Sequence, residues 1–143
     1  YSDIGVQVVW RLGKVPPAGC HKKPGVRQVV FSLREGKANN RNTLAFAQPH
    51  RTEGPCVTLF ADRVAADAVR QPQTTALLLG HVLAHEIAHV LQGMERHSDS
   101  GLLKEHWSPQ DIAQMVSAPL RFTEHDALLI HDPFREQPVH QEN

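Results

Sequence analysis

Little cysteine, a single tyrosine and no net charge mark this chain, and each scarcity closes off a class of function. Only Cys20 and Cys56 occur. They form no CxxC pair of the kind that holds structural zinc or a redox centre, and at most they make one disulfide. Fifteen basic and fifteen acidic side chains cancel, so no overall field is available to hold a polyanion, and nucleic acid is not an expected partner. No uninterrupted apolar run approaches the ~20 residues of a membrane span, and no basic-then-apolar leader opens the chain. The chain begins at Tyr1 rather than at a methionine, which fits a removed leader. A secreted or periplasmic monomer without membrane contact is therefore the expectation.

A length of 143 residues suits one domain, 1–143, with a real core. Hydrophobic residues at 41% and charged residues at 21% are ordinary for a folded protein. Four strands are expected, over Ile4–Arg11, Arg27–Arg34, Thr43–Gln48 and Cys56–Phe60, from their β-branched and aromatic content and the Gly, Pro and Asn punctuation between them. The pattern then changes. Asp62 can cap a short helix to Val69, and Thr74 or Thr75 a longer one that Gly93 ends. Between Ala76 and Leu91 this helix is apolar almost all round, the pattern of a buried helix. Ser108-Pro109 opens a helix over Gln110–Val116, and Thr123 caps another to about Ile130. A polar tail follows from Phe134. The expected fold class is α+β: a small twisted mixed sheet packed on a central helix, with short C-terminal helices.

Ten histidines are many for this length, and they crowd around the long helix. His21, His50, His131 and His140 have no partner at ligand spacing and read as surface residues. His85 and His89 are different. Four residues apart on a helix, they lie about 40° apart around its axis and can place two imidazole nitrogens on one metal ion. Glu86 projects beside them, badly placed to be a ligand but able to take a proton from an activated water. The stretch His85-Glu86-Ile87-Ala88-His89 is thus an HExxH pattern. On an apolar helix these three polar groups would each carry a desolvation cost of about 1–3 kcal/mol if unpaired, which a bound cation removes. The third ligand must come from elsewhere. His97 is the first candidate, because Gly93 can turn the following segment back under the metal, and Glu95, Asp99, His106 and Glu124 are the alternatives. Ser98 and Asp99 read as fixing that turn, His81 as a neighbour of the site and Trp107 as core.

The stretch HEIAHVLQGMERHSDSGLLKEHW resembles the metzincin zinc peptidases, in particular small bacterial proteins with a short HExxH…HSxxGxM…W pattern. Upstream, TLAFAQPHRTEGPCVTLFADRV is similar to the metzincin edge strand and the strand after it. The resemblance implies zinc bound by His85, His89 and His97, with Glu86 as general base. It also implies a peptide or protein substrate lying along Leu44, Ala45 and Phe46 through their backbone groups. Two departures stand out. Gln92 occupies the place of the family's glycine, so the turn to His97 is two residues longer, and Leu103 replaces the methionine beneath the metal.

Overall fold

The computed structural model describes residues 1–10, 29–35, 43–50, 55–70 and 72–132. Three strands, β1 (Val30–Arg34), β2 (Ala45–Gln48) and β3 (Cys56–Phe60), are followed by four helices, α1 (Ala61–Arg70), α2 (Pro72–Gln92), α3 (Pro109–Ser117) and α4 (Glu124–His131). The class is α+β, as expected. The sheet order is β1-β3-β2, with β1 parallel and β2 antiparallel to β3, so the sheet is mixed. Among the described residues β2 has a strand partner on one side only.

The expected strand at Ile4–Arg11 does not form over its described part. Ser2–Ile4 is a short 3-10 turn closed by Gly5 at φ 71, and Val6–Trp10 is irregular. The stretch has β-rich composition but finds no strand to pair with among the described residues, and β propensity without a partner stabilises little. Trp10 instead lies against Phe31 of β1, ring centroids 5.3 Å apart. Arg11 and the residues Arg27 and Gln28 of the second expected strand lie outside the described residues, as do Cys20 and the tail from Phe134. Cys56 carries a buried free thiol beside the Ser32 hydroxyl, 3.7 Å away.

α2 is the element around which the rest is arranged. On one side Ala45, Ala47, Val57 and Val90 form a core with Phe31 and Val82 packed on it. On the other, Leu102, Met115 and Leu120 close with Leu78, Ala84, Trp107 and Phe122. Two half-cores on opposite faces explain why a helix without a clear apolar stripe is stable in this fold. The burial is uneven, however. Ala76, Leu77 and Gly80 are exposed, Val82, Leu83 and Ala84 are half-buried, and burial is dense only from His85 on, so the expectation of a helix buried along its whole length holds for its last turns. Thr74–Gln92 is long and apolar enough, by length and composition alone, to cross a membrane, with a mean hydropathy of 1.2. This qualifies the expectation drawn from uninterrupted apolar runs. A core helix meets the same criterion, and this one has packed partners on two faces.

The C-terminal helices start where their caps place them. Ser108 accepts from the Asp111 amide while Asp111 reaches back to the Ser108 amide, and Thr123 and Asp126 repeat the arrangement for α4. Each is a reciprocal capping box that satisfies two otherwise orphan amides.

Candidate metal centre

α2 ends in a turn that matters to the site. Gly93 sits at φ 65, its amide donates to the Val90 carbonyl at 3.3 Å and the Met94 amide donates to the His89 carbonyl at 3.2 Å. This is a Schellman closure, which needs the left-handed backbone that glycine adopts without strain. It reverses the chain, and His97 comes back against the two helical histidines. The His85 and His89 ring centroids are 4.6 Å apart, His85 and His97 5.3 Å, and His89 and His97 4.9 Å. One nitrogen from each of the three falls within 4.8 Å of the others. Around one tetrahedral ion with bonds of ~2.0–2.1 Å the nitrogens sit roughly 3.3 Å apart, so small side-chain rotations close this set around a cation.

The rings are held from behind. His85 Nδ1 donates to the Leu102 carbonyl at 2.9 Å, and His89 Nδ1 donates to the Met94 carbonyl at 3.2 Å. Each bond commits the Nδ1 proton and leaves Nε2 as the lone-pair donor, the tautomer a metal needs. Burial lowers both rings against the pull of those carbonyls, and His89 falls to about 4, with His85 and His97 nearby adding to the effect. Both are therefore neutral, which is the ligating form. His97 is exposed. Three imidazoles form a donor set that suits zinc.

Glu86 lies beside the cluster on α2, half-buried. Burial pushes its carboxyl up to about 7, the Ala47 backbone amide opposes this by hydrogen-bonding the carboxylate, and Glu95 nearby adds to the rise. The Ala47 contact ties the helix to the edge of the sheet that has no strand neighbour among the described residues. Phe60 N–H donates to the Leu44 carbonyl at 2.9 Å, so Leu44 and, by antiparallel alternation, Phe46 and Gln48 turn their backbone groups toward β3. Ala45 and Ala47 turn theirs to the open edge. Of the three residues expected along the substrate strand, only Ala45 therefore offers backbone groups outward. Ala47, outside that expectation, is the second.

The other candidates separate clearly. Glu95, Asp99 and Glu124 are exposed, and His106 has 90% of its side chain in solvent; none of these joins the three-histidine cluster. His81 is buried and doubly used, Nδ1 donating to the Leu77 carbonyl at 2.7 Å and Nε2 accepting from the Leu120 amide at 3.1 Å, which makes it a structural residue. Trp107 packs in the core as expected and meets His85 edge-on with centroids 5.7 Å apart. Its buried indole N–H has no partner among the described residues. Leu103 is fully buried, and its carbonyl accepts from Ser98 N–H at 2.8 Å. The single tyrosine, Tyr1, donates its hydroxyl to the Ala84 carbonyl at 2.6 Å.

Sequence reasoning missed three parts of the site: the Leu102 and Met94 carbonyls, the Ala47 amide and Asp126. Backbone groups leave no mark in residue identity. His50, set aside as a surface residue, is exposed but places its ring against Gly93.

Comparison with protein-family models, with curated proteins and with solved structures returned no match.

Proposed function

We propose that the chain is a zinc-dependent peptidase of metzincin-like type, with His85, His89 and His97 as zinc ligands and Glu86 as general base. The observation that carries this reading is the convergence of three imidazole nitrogens within 4.8 Å of one another, two of them on neutral rings whose Nδ1 protons are committed to carbonyls. Zinc bound there supplies Lewis acidity, which polarises a carbonyl and makes a water acidic enough to attack it near neutral pH. The chain's own residues do the rest. An extended peptide pairs with the open edge of β2 through the Ala45 amide and carbonyl and the Ala47 carbonyl, which fixes the scissile bond beside α2. Glu86 takes a proton from the attacking water on its carboxylate and returns it to the departing amine nitrogen, so its bond to the Ala47 amide has to loosen as it turns to the substrate.

The test is Glu86→Gln. The variant should bind zinc as the wild type does and lose peptide hydrolysis by at least about 10²–10⁴-fold, the usual share of a general base. Hydrolysis at the wild-type rate would overturn the mechanism.

A second reading is a zinc-bound module that grips peptides on the β2 edge without cleaving them. It is favoured by the engagement of the chain's one tyrosine hydroxyl with Ala84, which leaves no phenol to stabilise a developing oxyanion. Turnover of casein or a peptide library that disappears with a chelator decides for the peptidase. Zinc-dependent peptide binding without turnover decides for the module.

A further inference from the structure

The three ligands are not held alike. His85 and His89 each have a carbonyl behind the ring, whereas among the described residues no hydrogen-bond partner is found for the His97 imidazole, which is also the exposed member of the set. What fixes His97 lies on either side of it. The Arg96 guanidinium donates to Asp126 Oδ1 at 2.9 Å, and the Ser98 hydroxyl donates to the same oxygen at 2.5 Å. Arg96 also reaches Ser98 at 3.2 Å. Asp126 is completely buried, and its other oxygen accepts from the Thr123 amide at 3.0 Å. Its backbone carbonyl lies 3.4 Å from the Gln92 side-chain nitrogen at the end of α2. One buried carboxylate in the first turn of α4 thus grips both residues flanking the third ligand and is itself locked by the helix cap. The capping carboxylate of α3, Asp111, is also bound by two side chains, Lys104 and Ser108, but it is only half-buried and neither donor flanks a histidine of the cluster.

We propose that Asp126 is the positioning residue for the third metal ligand: it holds the Arg96–Ser98 turn so that the His97 imidazole faces His85 and His89. The inference rests on the metal-centre reading given above. It makes the affinity of the site depend on a side chain that touches neither metal nor substrate, and it couples the seating of α4 to metal binding. Removing a group that orients a metal ligand generally weakens affinity about 10- to 100-fold.

The test is a cycle on the full chain, with Zn²⁺ as the probe and affinity read by competition with a chromogenic chelator. The variants are Asp126→Asn, Ser98→Ala, His97→Ala and each of the first two combined with His97→Ala. The d–d spectrum after loading with Co²⁺ reports ligand number and geometry independently of affinity. Asp126→Asn and Ser98→Ala should each weaken Zn²⁺ binding, with about 10- to 100-fold for the aspartate, and shift the Co²⁺ spectrum toward that of His97→Ala. Combined with His97→Ala they should cause no further loss, because their effect passes through that ring. Variants that bind as tightly as the wild type overturn the proposal, and so do losses that multiply with that of His97→Ala, which would mark a merely structural role. Should Asp126→Asn fail to fold, Ser98→Ala carries the same test from the half-buried side of the contact. A wild-type chain without Zn²⁺ affinity would remove the metal centre itself, whereas unaffected variants of a Zn²⁺-binding chain would remove only the role of Asp126.

Discussion

At the level of single residues, two glycines make opposite predictions. Gly101 sits at φ 74, and a Cβ there would run into the Arg121 carbonyl oxygen, the same oxygen that accepts from the Leu102 amide at 2.8 Å. Gly101→Ala should cost at least the ~1–2 kcal/mol of left-handed backbone for an L-residue, and more for the displaced segment. Because the Leu102 carbonyl orients His85, the variant should also bind metal more weakly. Gly80 is the counterpart: it is exposed inside α2, and a Cβ there meets nothing within 4 Å. Gly80→Ala should stabilise by about 0.5–1 kcal/mol through the lost freedom of the unfolded chain and leave metal affinity unchanged. Urea denaturation and metal titration of the two variants check both statements, and equal effects would contradict them.

At the level of elements, the α3 cap lends itself to a pH test. Hydrogen bonding to Lys104, and then to Ser108, holds the Asp111 carboxyl down at about 2, against an ordinary 3.8. A carboxyl depressed on folding contributes stability that is complete above its ordinary value and is lost as pH falls through the folded one. In acid titrations followed by circular dichroism, Asp111→Asn should therefore lose its stability difference from wild type between about pH 4 and pH 2. Ser108→Ala should cost about 0.5–2 kcal/mol, as N-cap losses do. Such caps were legible in the sequence because their signals are local: Ser108-Pro109 and Thr123 stand immediately before the helices they open. The helical ligand pair was legible for the same reason, since four residues on a helix fix two side chains on one face whatever the rest of the fold does. The chain from Ile4 to Trp10 was misread because a strand is specified by its partner, and no local feature reveals that none is present among the described residues. Asp126 was invisible for a related reason. From the sequence it is an acidic first-turn residue, and its bonds to Arg96 and Ser98 span 30 and 28 positions.

Across the whole molecule, the proposed metal would add a bridge between parts that the Leu102 and Met94 carbonyls and the Gln92–Asp126 contact already bring together. His85 and His89 belong to the central helix, while His97 belongs to a turn tied through Asp126 to α4. A cation bridging them stabilises the folded chain and not the unfolded one. At a hundredfold excess over its dissociation constant this amounts to ~2.7 kcal/mol, or roughly 5–10 °C in Tm for a domain of this size. Differential scanning calorimetry with and without a chelator measures it, and a Tm indifferent to chelation would count against a structural contribution of the metal. The general architecture, a mixed sheet against a central helix, was foreseeable from the change of pattern near Asp62. The number of strands and the uneven burial of α2 depend on contacts far apart in sequence, and only the folded chain displays them.

The edge of β2 has a consequence beyond catalysis. An open strand is a template for any other strand, including one from a second copy of the chain, and unguarded edges invite aggregation. β2 is only four residues long, and the Ala47 amide is already committed to Glu86. Among the described residues three outward backbone groups remain, those of Ala45 and the Ala47 carbonyl, too few to recruit a passing strand by ladder bonds alone. Self-association along this edge is thereby discouraged, and a segment that stays there has to be selected by side-chain fit or by the neighbouring cation.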